Sequence, residues 1–103
     1  MQPLVGKGIK DSLLEGVLTI DSGNQRVGIN NTAPTTALDV SGTTTTTTLV
    51  VSGTTTTSRM VLTPITTAQR DALTASEGMV IFNTTTKKLN VYNGTIWEAV
   101  TSA

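Results

Sequence analysis

The chain of 103 residues contains no cysteine and no histidine. Disulfide staples, thiolate nucleophiles, Cys/His zinc sites and Ser-His-Asp triads are therefore excluded. Aromatic residues are nearly absent too, with Phe82, Tyr92 and Trp97 occurring once each. Formal net charge is zero, and apart from Lys87-Lys88 the basic residues are scattered. No basic face for a phosphate backbone is expected, and so no nucleic-acid partner. No apolar run approaches the length of a membrane span, so no membrane partner is expected either. The opening Met1-Gln2-Pro3-Leu4-Val5-Gly6-Lys7 lacks the continuous apolar stretch of a secretion signal.

Threonine is what the chain has in abundance, at 23 of 103 residues. A β-branched residue favours strands and is costly in helices, so a mainly β fold is expected. Ordering a backbone costs about 1–2 kcal/mol per residue, and large apolar side chains must offset it. Here they are spread thinly between threonines. With disulfides and Cys/His metal sites excluded, oligomerisation is the remaining source of a core.

An internal repeat organises the middle of the chain. Leu38-Asp39-Val40-Ser41-Gly42 and a threonine run recur eleven residues later as Leu49-Val50-Val51-Ser52-Gly53 and a second run. A weaker third copy starts at Met60-Val61-Leu62-Thr63-Pro64. Each copy alternates apolar and variable positions, the period of a half-buried strand, and then breaks at a small turn. One such unit cannot bury its apolar pair alone, but units stacked and wrapped with other chains can. Leu38, Val40, Leu49, Val51, Met60 and Leu62 are the expected core layers of the oligomer. The competing reading of the threonine runs is a disordered linker; the regular apolar pairs between them argue against it.

Upstream, Gly16–Asp21 and Arg26–Asn30 read as two strands around the turn Ser22-Gly23-Asn24-Gln25. Ile9, Leu13, Leu14 and Val17 fall near helical spacing, with Asp11 or Ser12 as a cap. Downstream, Thr66 or Thr67 is a candidate N-cap for a short helix through Leu73, with Asp71 expected near its start. Three strands then follow: Met79–Phe82, Lys88–Tyr92 and Thr95–Val100. The first turn runs over 83–87 and the second is Asn93-Gly94, a strong hairpin signal. This meander holds all three aromatics, and Val80, Phe82, Val91 and Trp97 are its expected core. The domain reading is an N-terminal anchoring or capping segment (1–22), a β-repeat stalk (23–66) and a helix-plus-meander head (67–103).

No catalytic, cofactor-binding or metal-binding set emerges. Gly6-Lys7-Gly8 lacks phosphate-loop spacing. The acids Asp11, Glu15, Asp21, Asp39, Asp71, Glu77 and Glu98 are scattered, whereas glycoside hydrolysis needs a carboxylate pair at defined separation. A non-enzymatic chain that uses no cofactor is expected. Tyr92 and Trp97 have two readings, a sugar-stacking tip or core residues with polar handles, and the core reading is preferred. Asn30, Asn83 and Asn93 each open an N-x-T sequon, attributed to chance in a chain rich in both residues.

The stretch Arg26-Val27-Gly28-Ile29-Asn30-Asn31-Thr32-Ala33-Pro34 resembles a motif of phage tail-fibre and virion surface proteins, which typically reads V-G-I-G-T-x-x-P. The L-x-V-S-G copies that follow are similar to the same group. So are Thr67–Leu73, Glu77–Asn83 and Leu89–Trp97. The resemblance implies a homotrimer of elongated form, with strands interleaved or packed prism-like round a threefold axis. It further implies a virion component assembled in the bacterial cytoplasm and attached to other virion proteins, for which the N-terminal segment is the expected contact. Asn30 stands where the pattern has glycine, so positive φ is expected of it. Chain length favours a short projection or capsid decoration (cement) protein. The alternative is a short tail-fibre or spike module that contributes to host binding, with a host-surface glycan as a further candidate partner.

Overall fold

A computed structural model describes residues 16–102; the helical spacing around Ile9, Leu13 and Leu14 lies outside them. Among the described residues the fold is mainly β, with two three-stranded sheets and a short helix at Thr67–Asp71. By contacts the chain divides into two compact units, Met1–Ser52 and Gly53–Ala103.

In the first unit, β1 (Leu18–Asp21) and β2 (Arg26–Ile29) form the expected antiparallel hairpin. Its turn closes with Gln25 in a left-handed conformation (φ 59°), its N–H donating to the Ser22 carbonyl at 3.3 Å. Both the backbone and side-chain amides of Asn24 donate to the Asp21 carboxylate, at 3.3 and 2.9 Å. β3 (Leu38–Val40) then lies parallel to β2, with Val27 facing Leu38, Gly28 facing Asp39 and Ile29 facing Val40.

Parallel neighbours ordinarily need a long crossover; here the segment 30–37 suffices because the strand it must retrace is short. Asn30 takes φ 54°, as its place in the motif requires. The Asn31 side chain accepts from Ala33 N–H at 2.9 Å, Pro34 is buried, and Arg26 Nη1 donates to the Pro34 carbonyl at 3.2 Å. Gly28 is obligatory: a Cβ there would run into the Asn31 carbonyl oxygen.

From 42 to 64 no backbone–backbone hydrogen bond forms among the described residues. The chain bends at Ser41-Gly42 and Thr47, and again at Ser52-Gly53 and Ser58. Both bends recur after eleven residues, so the repeat is conformational as well as compositional. The expected strands at Leu49–Val51 and Met60–Leu62 do not form among the described residues, where no segment pairs with them.

In the second unit, Thr66 caps α1 (Thr67–Asp71). Its side chain accepts from Gln69 N–H at 3.1 Å while Gln69 Oε1 accepts from Thr66 N–H at 2.8 Å, a reciprocal capping box. Asp71, expected near the helix start, is instead its last residue, because the capping box sets the start at Thr67 and the helix spans one turn. The meander comprises β4 (Val80–Asn83), β5 (Lys88–Tyr92) and β6 (Trp97–Ala99), all antiparallel. Ile65 adds a parallel bridge beside Asn83.

The second hairpin loop is longer than Asn93-Gly94 alone. Tyr92 pairs with Trp97, and Asn93 Oδ1 accepts from both Thr95 and Ile96 N–H groups, at 2.8 and 2.9 Å. That side chain does the work of a backbone turn, with Gly94 at φ 99°.

Among the described residues, no aliphatic or aromatic side chain other than the Pro34 ring is buried. Among these residues the fully buried side chains are Asn83 and Asn90.

Candidate self-association site

Paired residues in a sheet share a face, and successive residues alternate. In the first sheet this places Leu18, Ile20, Val27, Ile29, Leu38 and Val40 on one side. Thr19, Asp21, Arg26, Gly28 and Asp39 take the other. The loop 30–37 belongs to this second side, tied there by the Arg26–Pro34 bond and the contact over Gly28. Thr35 completes it by donating its N–H and hydroxyl to Asp39 Oδ2, at 3.0 and 3.2 Å. The aliphatic side stays uncovered among the described residues, with Ile20 and Leu38 exposed.

The second sheet repeats the arrangement. Val80, Phe82, Leu89 and Val91 share one face, with Glu98 at its edge. On the other lie Ile81, Asn83, Asn90, Tyr92, Trp97 and Ala99, and α1 sits over it. Arg70 Nη1 donates to Asn90 Oδ1 at 3.0 Å and Asn83 Nδ2 donates to the same oxygen at 3.0 Å. Asn83 Nδ2 also donates to Thr67 Oγ1 at 3.0 Å, and Asn83 Oδ1 accepts from Thr85 N–H at 2.9 Å. The Arg70 guanidinium lies 5.8 Å from the centre of the Trp97 ring, a cation–π contact. Tyr92 meets that ring edge-on at 5.2 Å.

Among the described residues, each unit thus covers one side of its sheet with its own chain and leaves the aliphatic side largely open. The covered side is that of Arg26 and Asp39 in the first and that of Asn83, Asn90 and Trp97 in the second. The four residues expected as a head core are divided accordingly. Val80, Phe82 and Val91 stay together on the bare face, while Trp97 lies opposite, against Arg70. A shallow cavity of about 360 Å³ opens on the bare side, lined by Met60, Val61, Leu62, Pro64, Phe82 and Leu89.

The expected layer residues fall into matching classes along the repeat. Leu38, Leu49 and Met60 are 63, 74 and 67 % exposed, while Val50 and Val61 reach 86 and 89 %. Val40 and Leu62 are half-buried, and Val51, at 45 %, is less exposed than Leu49 or Val50 beside it.

The polar cluster beneath α1 went unread in the sequence, where Asn83 figured only as a turn residue and as part of a sequon. Asparagine is depleted in strands, so Asn90 inside the predicted strand Lys88–Tyr92 was the available signal. The carboxylates are held locally. Asp21 is pulled below the usual carboxylate range by its hydrogen bonds from the Asn24 side chain and backbone. Asp39 is lowered by the Thr35 N–H above all. Asp71 pairs with Arg70 at 2.8 Å, and Glu98 accepts from Asn93 Nδ2 at 2.6 Å.

Two sheets whose aliphatic sides stay largely open among the described residues are what a self-associating β protein presents. The chain belongs to the family described as phage tail like trimerisation region, whose model matches residues 26–103. It is accordingly a trimeric, tail-fibre-like phage structural protein. No curated protein and no solved structure matches the chain.

Proposed function

We propose that the chain is a non-catalytic trimerisation segment of a phage tail appendage, in which three copies bury their bare sheet faces against one another. The observation that carries this reading is that, among the described residues, each sheet has one side covered by its own chain and an aliphatic side left largely open. Burying an aliphatic side chain is worth about 1.5–3 kcal/mol, and within one chain little of that is realised. Three copies supply the missing cover.

A structural role is further supported by the carboxylates, four of which are engaged in local hydrogen bonds. Tyr92 and Trp97 are half-buried, packed on each other, and Trp97 also meets Arg70, which favours scaffold over sugar platform. In this reading the segment 1–22 attaches the trimer to a neighbouring virion protein.

Immunogold labelling of intact particles with antibody to this chain tests the placement. Gold on the tail is expected; gold distributed over the capsid overturns the tail assignment in favour of decoration. Turnover of capsule or cell-wall polysaccharide by the purified trimer would overturn the non-catalytic part.

A further inference from the structure

The parallel pair β2–β3 has a register of eleven residues: Val27 to Leu38, Gly28 to Asp39, Ile29 to Val40. That is the period of the repeat downstream, from Leu38 to Leu49 and from Leu49 to Met60. Val27-Gly28-Ile29 is therefore an earlier step of the same series, hidden in the sequence by the Asn-Asn-Thr-Ala-Pro linker that replaces threonines. The first step closes within the chain, through Val27 N–H to the Ala37 carbonyl at 2.8 Å and Ser41 N–H to the Ile29 carbonyl at 2.9 Å. The later steps do not close: over 42–64 no backbone–backbone bond forms among the described residues. Yet these steps keep the apolar alternation, the recurring bends and the matched exposures of a strand series.

From this we infer that Leu49–Val51 and Met60–Leu62 are interchain strands, whose backbone partners are the same series in the second and third copies of this chain. The inference rests on the trimeric reading and adds what that reading leaves open, namely that the copies interleave through this stretch rather than only packing face to face.

Three observations select another copy as the partner. Strand pairing requires a segment of matching alternation, and the in-chain example of what pairs with Leu38–Val40 is a member of the same series. The N–H and C=O groups of 49–51 and 60–62 have no partner among the described residues and stand beside apolar side chains, a combination that exposed edges ordinarily avoid because it recruits other strands. The intervening threonines suit cross-strand contacts, where Thr–Thr pairs are favourable. In the pairing, Val51 and Leu62 turn inward with their equivalents, and Val50 and Val61 turn outward.

The test uses the full chain at micromolar concentration. Light scattering first establishes the oligomer, and amide hydrogen exchange is then read at 49–51 and 60–62. Exchange at least ~100-fold slower than in an unstructured peptide of the same sequence is expected. A trimer assembled from separately 15N- and 13C-labelled chains should then show interchain contacts from the Val51 and Leu62 amides. A trimer with peptide-like exchange at these amides overturns interleaving and leaves trimerisation standing. Protection without interchain contacts also overturns it. A folded monomer overturns both.

Discussion

Asn83 on β4 and Asn90 on β5 are each 1 % exposed and are joined across the sheet by a 3.0 Å bond from Asn83 Nδ2 to Asn90 Oδ1. They are diagonal neighbours on the face under α1, and every polar atom buried there has a partner. The helix is held over its sheet by a closed hydrogen-bond network in place of an apolar core. Such a network strongly penalises loss of one member, since a buried group left without its bond costs about 1–3 kcal/mol. Asn90→Ala removes the acceptor shared by Arg70 and Asn83, and is expected to destabilise by ~2 kcal/mol in denaturant unfolding. Combining it with Asn83→Ala should cost less than the sum of the single changes. Strict additivity would mean that the two side chains act independently.

Gly28 offers a test of the first unit. Adding a Cβ there forces the Asn31 backbone away, and with it the connection that lets β3 lie parallel to β2. Gly28→Ala is expected to cost roughly 2–3 kcal/mol, the range of disruptive single substitutions. Gly53, whose added Cβ would meet nothing within 4 Å, is the control, and Gly53→Ala should change the melting temperature little. Equal melting temperatures for the two variants would show that the Asn31 approach does not constrain the fold.

The parts of this fold readable from sequence are those fixed by neighbours in the chain. The β1–β2 hairpin follows from alternation around Ser22–Gln25, and the helix start follows from Thr66 with Gln69 three residues on. The meander follows from alternation too, though the hydrogen bonds of Asn93 lengthen its second loop. What escaped notice depends on distant pairing. The parallel match of Val27 with Leu38 needs the linker 30–37 to fold back, which no local pattern announces. The burial of Asn83 and Asn90 depends on Arg70 and Thr67 arriving from the helix. Trp97 was grouped with Val80, Phe82 and Val91 because all four are large and apolar, yet its pairing with Tyr92 places it on the opposite face. The candidate interface was legible as a list of apolar positions. Their division into bare and covered sides was not, because it depends on register.

The lowered pKa values of Asp21 and Asp39 set the direction of an acid response. A carboxyl group whose folded-state pKa lies below its unfolded value of about 3.9 contributes stability that is present above that value and lost as pH falls through the folded pKa. Hydrogen bonds from Asn24 to Asp21 and from Thr35 to Asp39 are the causes of the shifts. The first unit should therefore lose stability as pH drops below about 4, while between pH 5 and 8 these two groups should contribute no slope. Both side chains are in solvent, so the effect is small and best read by following the carboxyl carbon shifts of Asp21 and Asp39 by NMR. Apparent pKa values at or above about 3.9 would show that the two turns do not hold their carboxylates. In Asp39→Asn the remaining slope should come from Asp21 alone.

The bare aliphatic face of the first sheet makes the sharpest demand on assembly. Val40 sits on it beside Ile29, its β-pair, and in the proposed assembly that face is covered. A charge placed there would be desolvated with no partner, at a cost of several kcal/mol per subunit, and three copies would bring three such charges together. Val40→Asp is expected to raise the trimer dissociation constant by at least ~100-fold, since each 1.4 kcal/mol is a factor of ten. The threonines 43–48 are exposed and make no side-chain hydrogen bond among the described residues. Single replacements there by serine should leave the constant within a few-fold. Sedimentation equilibrium of Val40→Asp and Thr45→Ser beside the parent chain makes the comparison. Circular dichroism on the same samples separates a dissociated but folded subunit from an unfolded one. Equal tolerance at both positions would mean that the aliphatic face is not what holds the three chains together.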